Sequence, residues 1–386
     1  MRYYLDYAAT SAVRPRAVID AVSDFMERCG GTPGRGGHAP SLDAGRMAYR
    51  CRRALMEVMG LSGDPGRLAY MHNATHGLNT ALRGLLGPGD AVVVTAYDHN
   101  AVLRPLHYLS RERGIDVRMV GGSPDGSVDF DEVERLLDGA RLLVVNAVSN
   151  VLGTALPLAE LASRAREAGA LVLVDAAQSA GHVRQNAGAD GADLVAITGH
   201  KGLLGPQGTG ALWVRSGVEI EPFLAGGTGG NSEEREMPRA MPDRLEAGTS
   251  NAPGIAGLLA GCRFVLSEGV DAIHARESAL KARLRDGLDS LRHVRVLSPA
   301  APDGVAVVTV TSDVTDPGTL AERLDREYGV CARAGLHCAP EAHRLLGTLA
   351  TGALRFSLGW ASTEEEVDRA VESVDEIVRQ PALPVG

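Results

Sequence analysis

Short apolar segments alternate with amphipathic segments between residues 67 and 215, and this alternation constrains the fold more than any other feature of the chain. The apolar segments include DAVVVTAYDHN, ARLLVVNAVSN, ALVLVDAAQ and DLVAITGHK, and the amphipathic ones include THGLNTALRGLL and LAELASRAREAG. Such alternation is typical of a mostly parallel sheet with helices on both faces. We therefore predict an α/β fold with its ligand site at the carboxyl ends of the strands.

The pattern changes after residue 254. Helices are predicted for GIAGLLAGCRFVLSEG, IHARESALKARLRDGLDSL and a segment near 318–328, and strands for VRVLS, GVAVVTVTS and LRFSLGW. The segment TEEEVDRAVESVDEIVRQ predicts a last helix, capped by Ser362 or Thr363. We predict a large cofactor-binding domain over residues 15–254. Residues 1–14 and 255–386 are predicted to form a smaller α+β domain.

Composition and charge exclude several classes of function. The chain has 386 residues and a net charge of −9. This negative charge argues against broad nucleic-acid binding and against a basic membrane-surface protein. The first residues, MRYYLDYAATSAVRP, lack the pattern of a secretory signal, and no apolar run approaches 18 residues. Five cysteines without close spacing suggest free thiols in a reducing compartment, so we expect a cytoplasmic protein.

Polar residues stand where the predicted strands end. They are Asn73, Thr75 and His76; Asp98, His99 and Asn100; Ser149 and Asn150; Asp175 and Gln178; and Thr198, His200 and Lys201. The chain has lysine at only two positions, 201 and 281, so the lysine at this edge is unusual. No spacing of residues is typical of a metal site.

These residue types suit pyridoxal phosphate, which needs a lysine for a Schiff base, an acid for its ring nitrogen and a cradle for its phosphate. Asp175 ends the predicted strand that precedes the strand of Lys201, so both side chains can converge on one site and supply the first two. Thr75, at a helix start, suits the phosphate. Thr198 and His200 add donors, His99 can stack on the ring, and Gln178 or Asn150 can bond the phenolic oxygen.

Each residue also has an ordinary structural explanation. A lysine after a strand is usually solvated, Asp175 or Thr75 alone is more often a helix cap, and an isolated cysteine such as Cys338 is more often a buried thiol. Their joint occurrence at successive strand ends favours the cofactor site.

Motifs along almost the whole chain resemble the class V aminotransferases of fold type I, and specifically the cysteine desulfurases. They are YLDYAATSAVRP (with Tyr7 where the family has asparagine), NATHGLN, DHNAV, VSNVLGT, VDAAQSAGH, TGHKGLLGPQGTGALWV and RLEAGTSN. The resemblance implies a large domain with a seven-stranded-type sheet and a Schiff base between Lys201 and pyridoxal phosphate. It also implies a homodimer, in which Thr249 reaches the phosphate of the partner subunit. The cofactor-binding residues that the resemblance implies are Ala74, Thr75, His99, Asn150, Asp175, Gln178, Thr198, His200, Lys201 and Thr249.

The segment CARAGLHCAPEAHRLLGT resembles the desulfurase loop that carries the sulfur-accepting cysteine, which Cys338 matches. Only 17 positions separate Cys338 from Arg355, which is similar to the short-loop branch that works with a separate sulfur-accepting protein. The resemblance implies Lys201, Cys338 and His99 as catalytic residues. The implied contacts to the substrate, L-cysteine or a related amino acid, are Arg355, Arg333, Asn150 and Ala9, and an arginine suits a carboxylate because its fork bonds bidentately.

Other functions remain open at this point. Selenocysteine lyases, C–S lyases and other class V aminotransferases share the same chemistry, and a cofactor-binding scaffold without turnover is a further alternative. The roles of His76, Cys331, and of Arg35 and His38 in GTPGRGGHAPS are also open, as is the final sulfur acceptor.

Overall fold

A computed structural model of the chain describes residues 2–34, 36–230, 233–300 and 304–380. The helices are α1 (Arg16–Asp24), α2 (Ala39–Val58), α3 (Ala74–Leu85), α4 (Asn100–Arg113), α5 (Phe130–Leu137), α6 (Leu158–Glu167), α7 (Ala252–Glu268), α8 (Val270–Asp289), α9 (Pro317–Arg323), α10 (Pro340–Leu345) and α11 (Glu364–Arg379). The strands are β1 (Tyr3–Tyr4), β2 (Leu68–Met71), β3 (Ala91–Thr95), β4 (Asp116–Val120), β5 (Ala140–Asn146), β6 (Leu171–Asp175), β7 (Leu194–Thr198), β8 (Gly210–Val214), β9 (Val294–Val296), β10 (Val307–Ser312), β11 (Val330–Cys331), β12 (Arg333–Gly335) and β13 (Ala353–Ser357). None of these described helices is both long and apolar enough to cross a membrane.

A seven-stranded sheet with the order β2-β8-β7-β6-β5-β3-β4 forms the centre of the larger part. Neighbouring strands are parallel except at β8, which is antiparallel to both β7 and β2. The mostly parallel α/β sheet predicted from the alternating segments is therefore confirmed. Because β2 runs in the same direction as β7, strands β2, β3, β5, β6 and β7 all end at one edge.

Both faces of this sheet are buried. In β6, Val172 and Val174 belong to one apolar core, whereas Leu173 between them belongs to the core on the other face. Alternate residues of a strand point to opposite faces, so a strand that is covered on both sides needs apolar residues at every position. The polar residues are thereby confined to the strand ends, where they form the site.

The smaller part contains a four-stranded antiparallel sheet with the order β12-β13-β10-β9. Leu284 of α8, Phe356 of β13 and Val374 of α11 share its apolar core. Of the two predicted caps of α11, Thr363 is the cap, because its hydroxyl accepts from the Glu366 N–H while the Glu366 carboxylate accepts from the Thr363 N–H.

The predicted domain boundary at residue 254 stays a prediction. At the start of the chain, β1 pairs with β11, and Asp6 bridges to Ser357 in β13. The apolar residues Ile255 and Leu258 of α7, just beyond the boundary, pack into the core of the large sheet. The chain therefore crosses between the two parts both near its start and after α7.

Candidate active site

A cavity of about 160 Å³ lies at the edge where the strands of the large sheet end. Its lining is Asn73, Ala74, Thr75, His99, Ala101, Asn146, Asn150, Asp175, Ala177, Gln178, Thr198, His200 and Lys201. This lining includes every residue predicted to bind the cofactor except Thr249. The structure therefore brings these residues together, and their binding of a cofactor stays a prediction.

The N-terminus of α3 forms one wall of the cavity. The Asn73 side chain caps the helix by accepting from the His76 N–H at 2.9 Å, so Asn73 and not Thr75 is the cap. The helix lies close against β8, since a Cβ at Gly210 would lie 2.8 Å from the Asn73 Cα. The first N–H groups of a helix, here those of Ala74 and Thr75, have no acceptor inside the helix and attract anions.

Two buried polar atoms in the lining fit a bound group. Within the described residues, neither Thr198 Oγ1 nor Asn150 Oδ1 has a hydrogen-bond partner, although both are buried. A buried hydroxyl or amide oxygen without a partner costs free energy unless a ligand or water satisfies it. Together with the α3 terminus, Thr198 suits a phosphate group. The residues present therefore fit pyridoxal phosphate.

Lys201 follows β7 and places its amine in the cavity. Burial lowers the pKa of Lys201 to about 8, the nearby Asp175 carboxylate opposes this, and the charges of Arg355 and Arg333 add to it. Burial disfavours the charged form of an amine, so a larger fraction of Lys201 is neutral at pH 7 than of an ordinary lysine. Only the neutral amine can attack a carbonyl carbon.

Asp175 and Gln178 are anchored by backbone groups. Asp175 Oδ1 accepts from the Ala177 N–H at 2.9 Å, so its carboxylate caps a turn and not a helix. Burial raises the pKa of Asp175, while that hydrogen bond and the Lys201 charge oppose the rise. The Gln178 amide donates to the Ala8 carbonyl oxygen at 3.0 Å, which ties the cavity to the N-terminal segment.

Two histidines in the lining are neutral near pH 7. His99 caps α4 by accepting at Nδ1 from the Ala101 N–H, and His200 Nδ1 lies 3.0 Å from Thr10 Oγ1. Burial, followed by the Lys201 charge, lowers the pKa of each imidazole to about 4. Neutral rings add no positive charge beside the Lys201 amine.

Cys338 lies in a turn between β12 and α10 that is docked onto the rim of the cavity. The Asn100 N–H donates to the Cys338 carbonyl oxygen at 2.7 Å, and the Asn150 amide donates to the His337 carbonyl oxygen at 2.7 Å. His337 and Cys338 both adopt the left-handed backbone region, with φ of 51° and 58°. This conformation costs about 1–2 kcal/mol for each non-glycine residue, so the docking contacts must offset it.

The two arginines predicted to bind substrate lie beside the cavity, outside its lining. Arg333 Nη2 lies 3.8 Å from Cys338 Sγ. Arg355 is 1% exposed, donates to Asp6 Oδ1 at 2.8 Å and to the Asn150 carbonyl oxygen at 3.1 Å, and leaves Nε without a partner among the described residues. Both arginines lower the pKa values of Lys201 and His99, so they share one electrostatic environment with them.

Other predicted residues lie elsewhere. Thr249 and His76 line a second cavity of about 330 Å³, and Ala9 is half-buried, with its N–H donating to the Asp6 carbonyl oxygen. His38 caps α2 through a 3.4 Å contact between its Nδ1 and the Ser41 N–H. Arg35 lies outside the described residues.

Some residues of the site were not assigned a role from the sequence. Asn73, which the sequence analysis names only among the polar residues at strand ends, lines the cavity together with Asn146 at the end of β5, whose position could have indicated it. Asp6 pairs with Arg355 across 349 positions of sequence, and the Asn100 contact is made by a backbone group. No sequence pattern marks these last two contacts.

Comparisons with known proteins extend over nearly the whole chain. The model of the family described as Aminotransferase class-V matches residues 3–370. A probable cysteine desulfurase of Methanothermobacter thermautotrophicus is 33% identical over 97% of this chain and 94% of its own length. One of Halobacterium salinarum is 36% identical over 97% and 91%. The apo structure of a cysteine desulfurase from Thermococcus onnurineus has a TM-score of 0.91 at 31% identity and covers 98% of this chain and 95% of that one.

Proposed function

The chain belongs to the class V aminotransferase family, and from this premise we propose that it is a cysteine desulfurase. The enzyme takes the sulfur of L-cysteine onto Cys338 as a persulfide and releases L-alanine. One observation carries the proposal: the turn with Cys338 is docked by Asn100 and Asn150 at the rim of the cavity that contains Lys201. A lysine for cofactor chemistry and a cysteine for sulfur are thereby joined in one site.

Cysteine desulfurases use pyridoxal phosphate, and the cavity residues fit it. When bound, this cofactor supplies an aldehyde for imine formation and a ring that withdraws electrons from the substrate Cα. The N–H groups of Ala74 and Thr75, with Thr198 and His200, are suited to hold its phosphate. Asp175 is suited to its ring nitrogen, Gln178 to its phenolic oxygen, and the His99 ring to one face.

Lys201 has two roles in this proposal. Its amine would hold the cofactor through a covalent link, and the free amine would take the proton from the substrate Cα. A pKa of about 8 suits both steps, because the amine is neutral often enough to attack and basic enough to accept a proton.

Arg355 and Arg333 place the substrate. The Arg355 guanidinium, already oriented by Asp6 and the Asn150 carbonyl oxygen, is suited to bind the α-carboxylate of L-cysteine. Its Nε has no hydrogen-bond partner in the part of the chain that the structure describes, and this supports the role, because a carboxylate oxygen can satisfy such a buried donor. Arg333, beside Cys338 Sγ, holds positive charge where the thiolate forms.

Sulfur transfer is the step that belongs to Cys338. Its thiolate attacks the substrate sulfur, the bond between that sulfur and the substrate Cβ breaks, and the electron pair stays with the Cβ carbon. That carbon takes up a proton and becomes the methyl group of L-alanine. The enzyme keeps one additional sulfur atom as a persulfide, so atoms and electrons balance without an external oxidant.

Incubation of the loaded enzyme with L-cysteine tests this function. We expect release of L-alanine and, by mass spectrometry, one additional sulfur atom on the peptide that contains Cys338. Cys338→Ala should lose the persulfide and keep the bound cofactor, and Cys331→Ala is the matched control with full activity. The proposal is refuted if L-cysteine yields no alanine, or if selenocysteine or a cysteine conjugate is turned over and L-cysteine is not.

We also propose a homodimer. Leu42 and Tyr49 on α2 are 47% and 50% exposed, and with Gly45 between them they form a stripe on one helix face. This part of α2 lines the same cavity as Thr249, the residue expected to reach the partner subunit. Light scattering should give twice the mass of one chain for the wild type and a lower value for Tyr49→Arg.

The sulfur acceptor is proposed to be a separate protein. Leu336, which is 36% exposed, precedes His337 and Cys338 in the turn and offers an apolar contact beside the sulfur. The short spacing between Cys338 and Arg355 supports the short-loop branch of the family. The cytoplasm is the proposed compartment, since all five cysteines are free thiols.

A further inference from the structure

Three buried side chains next to Cys338 form a continuous chain of hydrogen bonds. His337 Nε2 lies 3.0 Å from the Arg333 carbonyl oxygen, and His337 Nδ1 lies 3.1 Å from His343 Nε2. His343 Nδ1 lies 2.8 Å from Thr348 Oγ1. The three residues are 2%, 0% and 7% exposed. We call them the His337–His343–Thr348 chain.

Because both rings are neutral, the acceptor at the Arg333 end determines the direction of the hydrogen bonds between these side chains. A carbonyl oxygen can only accept, so His337 carries its proton on Nε2 and accepts at Nδ1. His343 then donates from Nε2 and accepts at Nδ1 from the Thr348 hydroxyl at 2.8 Å, and this hydroxyl also lies 3.4 Å from the His343 carbonyl oxygen. Both rings are neutral in this arrangement, which agrees with burial lowering the pKa of His337 to about 3 and that of His343 to about 4.

The His337–His343–Thr348 chain spans the turn that carries Cys338. One end is fixed to the backbone of Arg333 in β12, and the other reaches Thr348, beyond α10. The turn between these ends contains the left-handed residues His337 and Cys338. Because this conformation is disfavoured for residues other than glycine, the turn needs contacts that hold it. Asn150 and Asn100 hold its two carbonyl groups, and the chain holds the His337 side chain.

We propose that His343, acting through His337, is a positioning residue. It keeps Cys338 in its left-handed turn, where the thiol can reach the substrate sulfur. This inference rests on the proposed desulfurase function for its chemical consequence. The structural part, a turn held by three neutral hydrogen-bonding side chains, is independent of that function.

Substitutions that remove one donor test the proposal. His343→Leu removes both ring nitrogens, whereas His343→Gln keeps an N–H donor where Nε2 stands. Leu346→Ala is the matched control for lost packing, since Leu346 is buried at the end of the same helix and takes no part in the chain. If His343→Leu does not fold, Thr348→Val replaces only the hydroxyl with a methyl group, and the same change at the exposed Thr351 is its control.

Two readouts separate positioning from folding. Hydrogen–deuterium exchange of the peptide with Leu336–Ala339 reports opening of the turn, because the Ala339 N–H donates to the Leu336 carbonyl oxygen at 2.9 Å within it. In His343→Leu, we expect this exchange to accelerate about tenfold and persulfide formation to slow about tenfold. Exchange of the Cα proton of L-alanine with solvent needs Lys201 and the cofactor but not Cys338, so it should stay unchanged.

The outcomes are separable. The positioning role is supported if His343→Gln restores slow amide exchange of the turn and the rate of persulfide formation, and if Leu346→Ala matches the wild type in both. The role is overturned if turn exchange in His343→Leu matches the wild type, or if Leu346→Ala accelerates it equally. If the wild type itself makes no alanine from L-cysteine, the desulfurase function fails, and the amide exchange still decides whether the chain holds the turn.

Discussion

Lys201 follows a strand of the seven-stranded sheet, whereas Cys338 lies in a turn attached to the four-stranded sheet. Around Lys201, the polar groups come from the ends of neighbouring strands, such as Asn146 of β5, Asp175 of β6 and Thr198 of β7. Strand pairing therefore fixes their relative positions. Around Cys338, the position depends on hydrogen bonds from Asn100 and Asn150, which are remote in sequence.

Because of this difference, the two regions should respond differently to amino-acid substitutions. The Lys201 cavity is supported by two apolar cores, one on each face of the sheet, so a single polar substitution changes its chemistry more than its shape. The Cys338 turn holds a disfavoured backbone with a few polar contacts, so the loss of one contact changes its geometry. We therefore expect substitutions in the cavity to abolish the chemistry shared by all steps, and substitutions at the turn to affect sulfur transfer alone.

The largest expected effect is that of Lys201→Arg. Arginine keeps the positive charge and similar length but cannot form the imine, so activity should fall about 1,000-fold or more. Alanine release and the absorbance of the bound cofactor measure this loss. Lys281→Arg, the same change at the other lysine of the chain, is the control. If Lys201→Arg still turned over L-cysteine, the chemistry shared by all steps would not depend on the Lys201 cavity, and the contrast with the Cys338 turn would be wrong.

The fold and the Lys201 cavity could be predicted largely from the sequence. Periodic apolar segments specify parallel strands, and polar residues directly after such strands must meet at one edge. For this reason Lys201, Asp175 and Thr198 were identified together, and the structure places them in one lining. Asn73 was missed as the cap of α3 because Thr75, two positions later, is also a capping type of residue.

The Cys338 turn could not be predicted beyond the identity of its cysteine. Cysteine seldom adopts the left-handed region, and histidine adopts it more often than most residues but still in a minority of cases, so no reliable local signal marks the turn. The pairing of Asp6 with Arg355 depends on how the N-terminal segment packs against β13, which residue patterns do not encode. Side-chain hydrogen bonds over long sequence separations are set by tertiary packing, and a single sequence gives no periodicity for them.

Arg355→Lys tests the residue that lies between the two regions. A lysine keeps the charge but loses the forked geometry, so we expect the KM for L-cysteine to rise about 30-fold with a smaller change in kcat. Steady-state kinetics measures both values. Arg344→Lys, an exposed arginine of α10 paired with Glu341, should behave like the wild type. A fall in kcat without a rise in KM would mean that Arg355 supports the Cys338 turn instead of binding substrate.

The pH dependence of cofactor uptake reports on the Lys201 cavity and not on the Cys338 turn. Burial lowers the pKa of Lys201 to about 8, and only the neutral amine reacts, so the uptake rate should rise about tenfold from pH 7 to pH 9. The Asp175 carboxylate raises this pKa, so Asp175→Asn should move the midpoint to lower pH. Cys338→Ala should leave the midpoint in place. A midpoint near that of an ordinary lysine would show that the amine is solvated.

The smallest effect on chemistry is expected from Thr363→Ala, which removes the cap of α11. The lost cap should lower the free energy of unfolding by about 1 kcal/mol, as measured by denaturant titration. Helix α11 packs in the core of the four-stranded sheet, which also carries β12 and hence one end of the Cys338 turn. If Asn100, Asn150 and the His337–His343–Thr348 chain hold the turn, persulfide formation should not change. A slower persulfide step in this variant would mean that the stability of the small sheet holds Cys338 in place, and the side-chain contacts to the cavity rim would then be secondary.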